Sequence, residues 1–342
     1  MHLPLLTTTT TTALLTLTTA ATLPRQDPGS DPAYVGYLLS TFTDVNPQVY
    51  WYLSDASDPL AFNPLNGGEP VLRSTVGTQG VRDIFLTTNA ERSEFFVVAT
   101  DLDINADGFS WDEVTRRGSR GLTIWKSNNL IDWSEPTLSI YRIEDSTAGM
   151  AWAPSVLYNS TENLYYLFWA SRLYSDSDTE HTGTASLDRI RYATTSDFVT
   201  FSQPSDYVAL DSENIPLIDQ EFLSLGEEGH YARFLKDENV LHVYQETTTD
   251  GLFGGWTRVP GYIVETVTEG PAAFPDIQTE GKYHLLLDNY VEYVPFQTSD
   301  IESGAWVEES GSEVKGFPAG LKHGNVVLLT AEEYEAVLAR FG

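Results

Sequence analysis

Five segments of the chain repeat one two-part pattern, and this repeat narrows the possible folds more than any other feature. The first part is an aromatic-rich run set just after a turn: Tyr34–Leu39, Phe95–Thr100, Leu164–Trp169, His230–Leu235 and Tyr283–Leu287. The second follows downstream as a strand-like run, a turn rich in Ser, Thr and Asp, and a closing aromatic. Its copies are Tyr50–Phe62, Ile124–Trp133, Tyr192–Phe201, Tyr244–Trp256 and Phe296–Trp306. A unit recurring every ~50–70 residues cannot bury its faces alone and must stack on its neighbours. Strand-only units repeated radially make a β-propeller. The chain is therefore predicted to be all-β: one five-bladed β-propeller over residues 23–342.

Short apolar runs precede the aromatic ones and read as the innermost strands: Val81–Leu86, Trp152–Leu157, Ile218–Leu223, Glu269–Phe274 and His323–Leu328. The last has no aromatic run after it, and the run at Tyr34 has no inner strand before it. The C-terminal strand is thus expected to complete the N-terminal blade, which closes the ring and leaves fewer open sheet edges. Ala331–Arg340 has helical periodicity and predicts a short C-terminal helix.

Charge restricts the partners. There are 49 acidic and 19 basic residues, a formal net charge of −30. Nucleic acid needs a basic footprint and is excluded on this balance. Polyuronate or sulfated ligands would be repelled, so a neutral ligand fits best. There is no cysteine, hence no disulfide and no zinc–thiolate site. Residues 13–22 (Ala-Leu-Leu-Thr-Leu-Thr-Thr-Ala-Ala-Thr) read as a signal-peptide apolar region ending in small residues, which predicts a 1–22 leader and secretion. That stretch is too short to span a bilayer and no later one qualifies, so no membrane partner is expected. A closed ring with strong negative charge is expected to be monomeric.

The chemistry is expected where inner strands meet the propeller axis. Asp83, Ser155, Asp219, Glu269 and His323 fall at similar positions of the five inner strands, with Arg82 and Trp152 beside them. Carboxylates converging on one cavity push their pKa values apart, so one can stay protonated while its neighbour is ionised. Such a split pair is what glycosidic bond hydrolysis requires, and a Trp face suits the apolar side of a sugar. Arg172, Tyr174 and Asn289 are further candidates for sugar contacts. No cofactor is called for; His323 is a candidate ligand for a structural ion or a water on the axis. The run Asp101-Leu-Asp103-Ile-Asn105-Ala-Asp107-Gly108 superficially matches a calcium loop but lacks the distal Glu at the right offset, and reads as a solvated loop.

In these motifs the chain resembles glycoside hydrolase family 43, five-bladed propeller enzymes acting on arabinofuranosides, xylosides and galactofuranosides. The resemblance rests on Val-Arg-Asp83, Trp152-Ala-Pro-Ser155, Ile-Asp219, Glu269-Gly-Pro271 and Lys-His323-Gly324, in that order. It implies Asp83 as general base, Glu269 as general acid and Asp219 as the residue that tunes the acid's pKa, in an inverting reaction. Arg82, Trp152, Ser155, Arg172, Asn289 and His323 would contact a neutral oligo- or polysaccharide. Two departures bear on the substrate: Ile84 follows the base where the family has proline, and Ser155 replaces the acid after Trp-Ala-Pro. The first expectation is release of a terminal furanose, foremost α-L-arabinofuranose, from plant cell-wall polysaccharide. The rivals are a β-D-galactofuranosidase or β-xylosidase of the same fold, a catalytically silent carbohydrate-binding propeller, and a retaining fructosidase-type enzyme. The last lacks its N-terminal Asn-Asp-Pro-Asn, for which Asp44-Val-Asn-Pro47 is a poor substitute.

Overall fold

In the computed structural model, residues 34–139, 143–310, 314 and 316–342 are described. The expected leader, 1–22, lies outside them. The strands run in chain order as β1 (Tyr34–Thr41), β2 (Tyr50–Asp55), β3 (Asn63–Pro64), β4 (Val81–Thr88), β5 (Phe95–Asp101), β6 (Leu122–Ser127) and β7 (Thr137–Leu138). They continue as β8 (Trp152–Asn159), β9 (Leu164–Ser171), β10 (Arg189–Thr195), β11 (Ser205–Val208), β12 (Leu217–Ser224), β13 (Tyr231–Asp237), β14 (His242–Thr248) and β15 (Thr257–Arg258). The last are β16 (Glu269–Pro275), β17 (Tyr283–Asp288), β18 (Tyr293–Thr298), β19 (Val307–Glu308) and β20 (Asn325–Thr330). Helix α1 (Trp111–Arg117) interrupts the β5–β6 connection, and α2 (Ala331–Phe341) follows β20.

These strands form five four-stranded sheets, β20-β1-β2-β3, β4 to β7, β8 to β11, β12 to β15 and β16 to β19, with antiparallel pairing throughout. They are blades 1 to 5 of a propeller. The innermost strands β4, β8, β12, β16 and β20 touch one another in sequence around the axis. β20 pairs with β1, as the closure argument expects.

Each of the five hydrophobic clusters lies between two adjacent blades. This follows from the two-residue period of a strand. On β5, Phe95, Val97 and Ala99 face blade 1, while Phe96 and Val98 face blade 3. A second strand packed on both faces is largely apolar, which is why these five runs stand out in the sequence. Four of the five outermost strands, β3, β7, β15 and β19, are two residues long and mostly exposed, and β11 has four residues. Short edges of this kind resist pairing with other chains, and they are too short to leave a sequence signal.

Closure is held by more than the β1–β20 ladder. The Asn325 side chain, buried at the ring seam, accepts from the Leu86 N–H at 2.8 Å and donates to the Leu86 carbonyl at 2.9 Å. It thereby supplies the strand edge of β4 with the partner a backbone would give. Thr330 and Glu333 form a capping box at the start of α2. Glu333 also binds Arg92 of blade 2 in a two-pronged ion pair (2.6 and 2.8 Å). Phe341 packs edge-on to Trp51 at 5.5 Å, so α2 covers the seam between blades 1 and 2. Among the described residues no helix is long and apolar enough to cross a membrane.

Candidate active site

Four of the five inner strands break register at the same place: between Arg82 and Phe85, Trp152 and Ser155, Ile218 and Glu221, and Glu269 and Ala272. In each break one residue takes a left-handed backbone: Asp83 (φ 52°), Ala153 (φ 50°), Asp219 (φ 53°) and Gly270 (φ 54°). This is a β-bulge repeated around the axis, and bulges re-aim side chains. A non-glycine residue there costs roughly 1–2 kcal/mol, least for Asp or Asn, whose short polar groups bond locally. Asp83 and Asp219 are therefore the residues that can be turned off the sheet toward the axis at small cost. The bulge also refines the alignment of motifs. Glu269 matches Arg82 and Trp152, one residue before the left-handed position, and Ser155 matches Glu221, two residues after it.

His323, just before β20, receives the two aspartates. Its Nδ1 lies 3.3 Å from Asp83 Oδ1 and 4.0 Å from Asp219 Oδ1. Asp83 Oδ2 accepts from Thr100 Oγ1 at 2.7 Å, and that hydroxyl accepts from the Ala153 N–H at 2.8 Å. Asp219 Oδ2 accepts from the Gly270 N–H at 3.1 Å. Bulge amides of blades 3 and 5 thus anchor, one of them through Thr100, the carboxylates of blades 2 and 4. Glu269 accepts from Lys236 Nζ at 2.8 Å; Lys236 also binds Glu238 at 2.6 Å and lies 5.2 Å from the centre of the Tyr290 ring. The side chains of Asp83 and Glu269 are 16% and 18% exposed, whereas Asp219 is buried.

The electrostatics separate the carboxyls. Burial opposes ionisation of Asp83, but the His323 hydrogen bond and charge, with Arg82 and Thr100, outweigh it and hold Asp83 below the usual carboxylate range. Burial, reinforced by the charges of Glu269 and Asp83, pushes Asp219 up to about 7 against the pull of His323 and Lys236. His323 is pushed up to about 9: burial works against its charge, and Asp83, Asp219 and Glu221 overcome that. Lys236 is raised because Glu269, Asp219 and Glu238 outweigh its burial. Burial raises Glu221 well above its usual value and, with Glu269, brings Asp288 to about 6.

These shifts predict how stability depends on pH. Asp219 holds a proton in the folded chain that the unfolded chain releases near 3.8, so its stabilising contribution is full below that value and gone above about 7. His323 behaves likewise between 6.5 and about 9. The melting temperature is therefore expected to fall as pH rises from about 4 to about 9, and Asp219→Asn to flatten the part below about 7. Thermal unfolding across that range checks this, and a melting temperature that climbs with pH would contradict it.

The other expected contacts are distributed differently. Arg82 is paired with Asp44 at 2.7 Å and lies over the Phe42 ring, so it acts on Asp83 by its field. Trp152 is half-buried beside the bulge, 6.0 Å from Trp111. Ser155 is buried and accepts from Gln220 at 3.3 Å, between two inner strands. Arg172 commits its guanidinium to Asp188 (2.7 and 2.8 Å) on the wall of a separate cavity of about 410 Å³. Tyr174 is buried and stacks on His181. Asn289 caps its own turn, accepting from the N–H groups of Val291 and Glu292. His323 is an ion-pair partner of the aspartates; among the described residues no cluster of His, Asp and Glu has a metal-holding arrangement. Asp101 is buried and accepts from Thr78, which takes it out of the calcium-like run.

Thr100 and Lys236 escaped the sequence reading. Each is the penultimate residue of a second strand, β5 and β13, and a cation at that place, Lys236, is a signal in a chain with only 19 basic residues. Asp288 and Lys322, bonded at 3.1 Å, extend the charged rim to Asp44.

An alpha-L-arabinofuranosidase of Bifidobacterium longum subsp. longum is 31% identical over 215 residues, 59% of this chain and 20% of that protein. The chain thus spans about a fifth of the length of this curated relative. A thermostable family-43 glycoside hydrolase superposes with a TM-score of 0.48 at 17% identity, over 71% of this chain and 76% of the other. The catalytic domain of the Coprinopsis cinerea GH62 alpha-L-arabinofuranosidase gives 0.47 at 14% identity, over 70% of each. A family model described as a probable glycosyl hydrolase domain, related to glycoside hydrolase family 43, matches residues 31–335, and the chain belongs to that family.

Proposed function

We propose that the protein hydrolyses a glycosidic bond and releases a terminal furanose, foremost α-L-arabinofuranose, by direct attack of water with inversion. The observation that carries this reading is the meeting of Asp83 and Asp219 from two blades at His323, with Glu269 of a third blade held by Lys236 and near enough for its charge to act on Asp219. Asp83, kept ionised by His323, Arg82 and Thr100, takes a proton from water. That water attacks the anomeric carbon, and the bond to the leaving oxygen breaks as Glu269 gives the oxygen a proton. Burial and the charge of Glu269 hold a proton on Asp219 toward neutral pH. Lys236 sets the position of the Glu269 carboxyl. The net charge of −30 favours a neutral polysaccharide over an acidic one. The 31% identity to an alpha-L-arabinofuranosidase supports arabinofuranose ahead of galactofuranose and xylose. Action on plant cell-wall polysaccharide outside the cell is part of this proposal, supported by the apolar stretch at residues 13–22.

The test is a panel of aryl α-L-arabinofuranoside, β-D-galactofuranoside and β-D-xyloside, with the anomer of the first product followed by NMR. Turnover of the arabinofuranoside with inverted product is expected. A retained anomer would overturn direct attack by water. Sugar binding with no turnover on the panel or on arabinan and arabinoxylan would replace the hydrolase with a silent binding propeller.

A further inference from the structure

We propose that Trp111 is a stacking platform for a sugar ring on the leaving-group side of the bond, which deepens, and rests on, the hydrolase reading above. All eight tryptophans are described, and Trp111 is the one that is exposed, at 53%. It opens α1, which sits in the connection that leaves β5 at Asp101. The preceding residue, Thr100, donates to Asp83, so this connection rises from the end of the sheet where Asp83 sits. Trp152 stands on the other side of Thr100, through the Ala153 amide.

The platform is rigid. Phe109 and Trp152 hold Trp111 edge-on, at 4.9 Å and 85° and at 6.0 Å and 77°. The far end of α1 is pinned: both nitrogens of buried His181 contact backbone carbonyls, of Arg116 and Ser146, and Arg117 donates to the Glu180 carbonyl at 2.8 Å. The Gly118 and Ala151 amides tie the helix end to the segment before Trp152, at 2.9 and 3.0 Å. A Trp held by its neighbours loses little freedom on binding and offers a large apolar face with a polar edge. A neutral sugar ring presents a matching C–H face and needs no charge. Trp152, half-buried and next to the Asp83 anchor, takes the inner position. Trp111 lies outward of it, where an exo-acting pocket meets the rest of the polymer.

The experiment compares two substrates sharing the glycone turned over in the panel: its aryl glycoside, and an oligosaccharide carrying it on a xylose or arabinose. Trp111→Ala is expected to lower the ratio of kcat/KM on the oligosaccharide to that on the aryl glycoside by about tenfold. Trp111→Phe, which keeps a stacking face, is expected to restore most of it. A ratio within about twofold of wild type for Trp111→Ala, or a Phe variant as poor as the Ala one, would overturn the proposal. If wild type hydrolyses neither substrate, the hydrolase reading fails separately. Titration of the oligosaccharide by tryptophan fluorescence then decides the platform: saturable quenching lost in Trp111→Ala supports it, and identical curves overturn it.

Discussion

Glu269→Gln and Asp83→Asn are each expected to lower kcat on natural substrate by about 10²–10⁴-fold with the fold intact. Both replacements suit the structure. Asn tolerates the left-handed backbone of residue 83 (φ 52°) as well as Asp does, and it still accepts from Thr100. Gln at 269 still accepts from Lys236, whose charge remains paired with Glu238. On the proposed mechanism, what each would lose is the proton chemistry. The two roles separate by leaving group. An aryl glycoside with a very acidic phenol needs no proton on departure, so Glu269→Gln recovers on it, whereas Asp83→Asn does not. The opposite pattern would exchange the roles of acid and base. Retention of more than about a tenth of wild-type activity by either variant would remove that residue from the reaction.

Gly270→Ala is expected to be nearly as damaging to activity, although residue 270 takes part in no proton transfer. A Cβ there would stand 2.6 Å from both Cβ and Cγ of His323 and 3.0 Å from its Cδ2. The backbone angle alone does not demand glycine, because Asp83, Ala153 and Asp219 adopt the same conformation with side chains. The demand comes from the imidazole, which must lie against this backbone to reach both aspartates. Displacing it removes the cation that keeps Asp83 ionised, so the acid limb of the pH–rate profile should move to higher pH as kcat falls. Gly251→Ala is the control: φ is 77° and nothing lies within 4 Å, so only the cost of the angle, about 1 kcal/mol, is expected. Equal activity of the two variants would mean that the His323 contact is dispensable.

Much of this architecture is legible in the chain. The five aromatic runs became β1, β5, β9, β13 and β17, with shifts of a residue or two at their ends. The inner runs became β4, β8, β12, β16 and β20, and the C-terminal helix ends at Phe341. These elements were readable because a strand packed on both faces is largely apolar. Most outer strands could not be read, since two exposed residues carry no periodicity. Three positions among the site candidates, Asp83, Asp219 and His323, meet directly. Arg172 and Asn289 have the chemistry for sugar contacts, yet their polar groups are taken up by Asp188 and by a turn.

The number of blades, their closure and the three carboxylates belong to the sequence alone. Repeat spacing and two-residue alternation are local properties, visible without neighbours. Which carboxyl is ionised, and why, was decided by the tertiary structure. Asp83 and Asp219 are the same residue type in the same bulge, with opposite shifts. The difference lies in what other blades bring: Thr100, Arg82 and a close His323 for one, deeper burial and the charges of Glu269 and Asp83 for the other. Solvation and Coulomb terms depend on distances across the ring, and only the closed ring sets those distances.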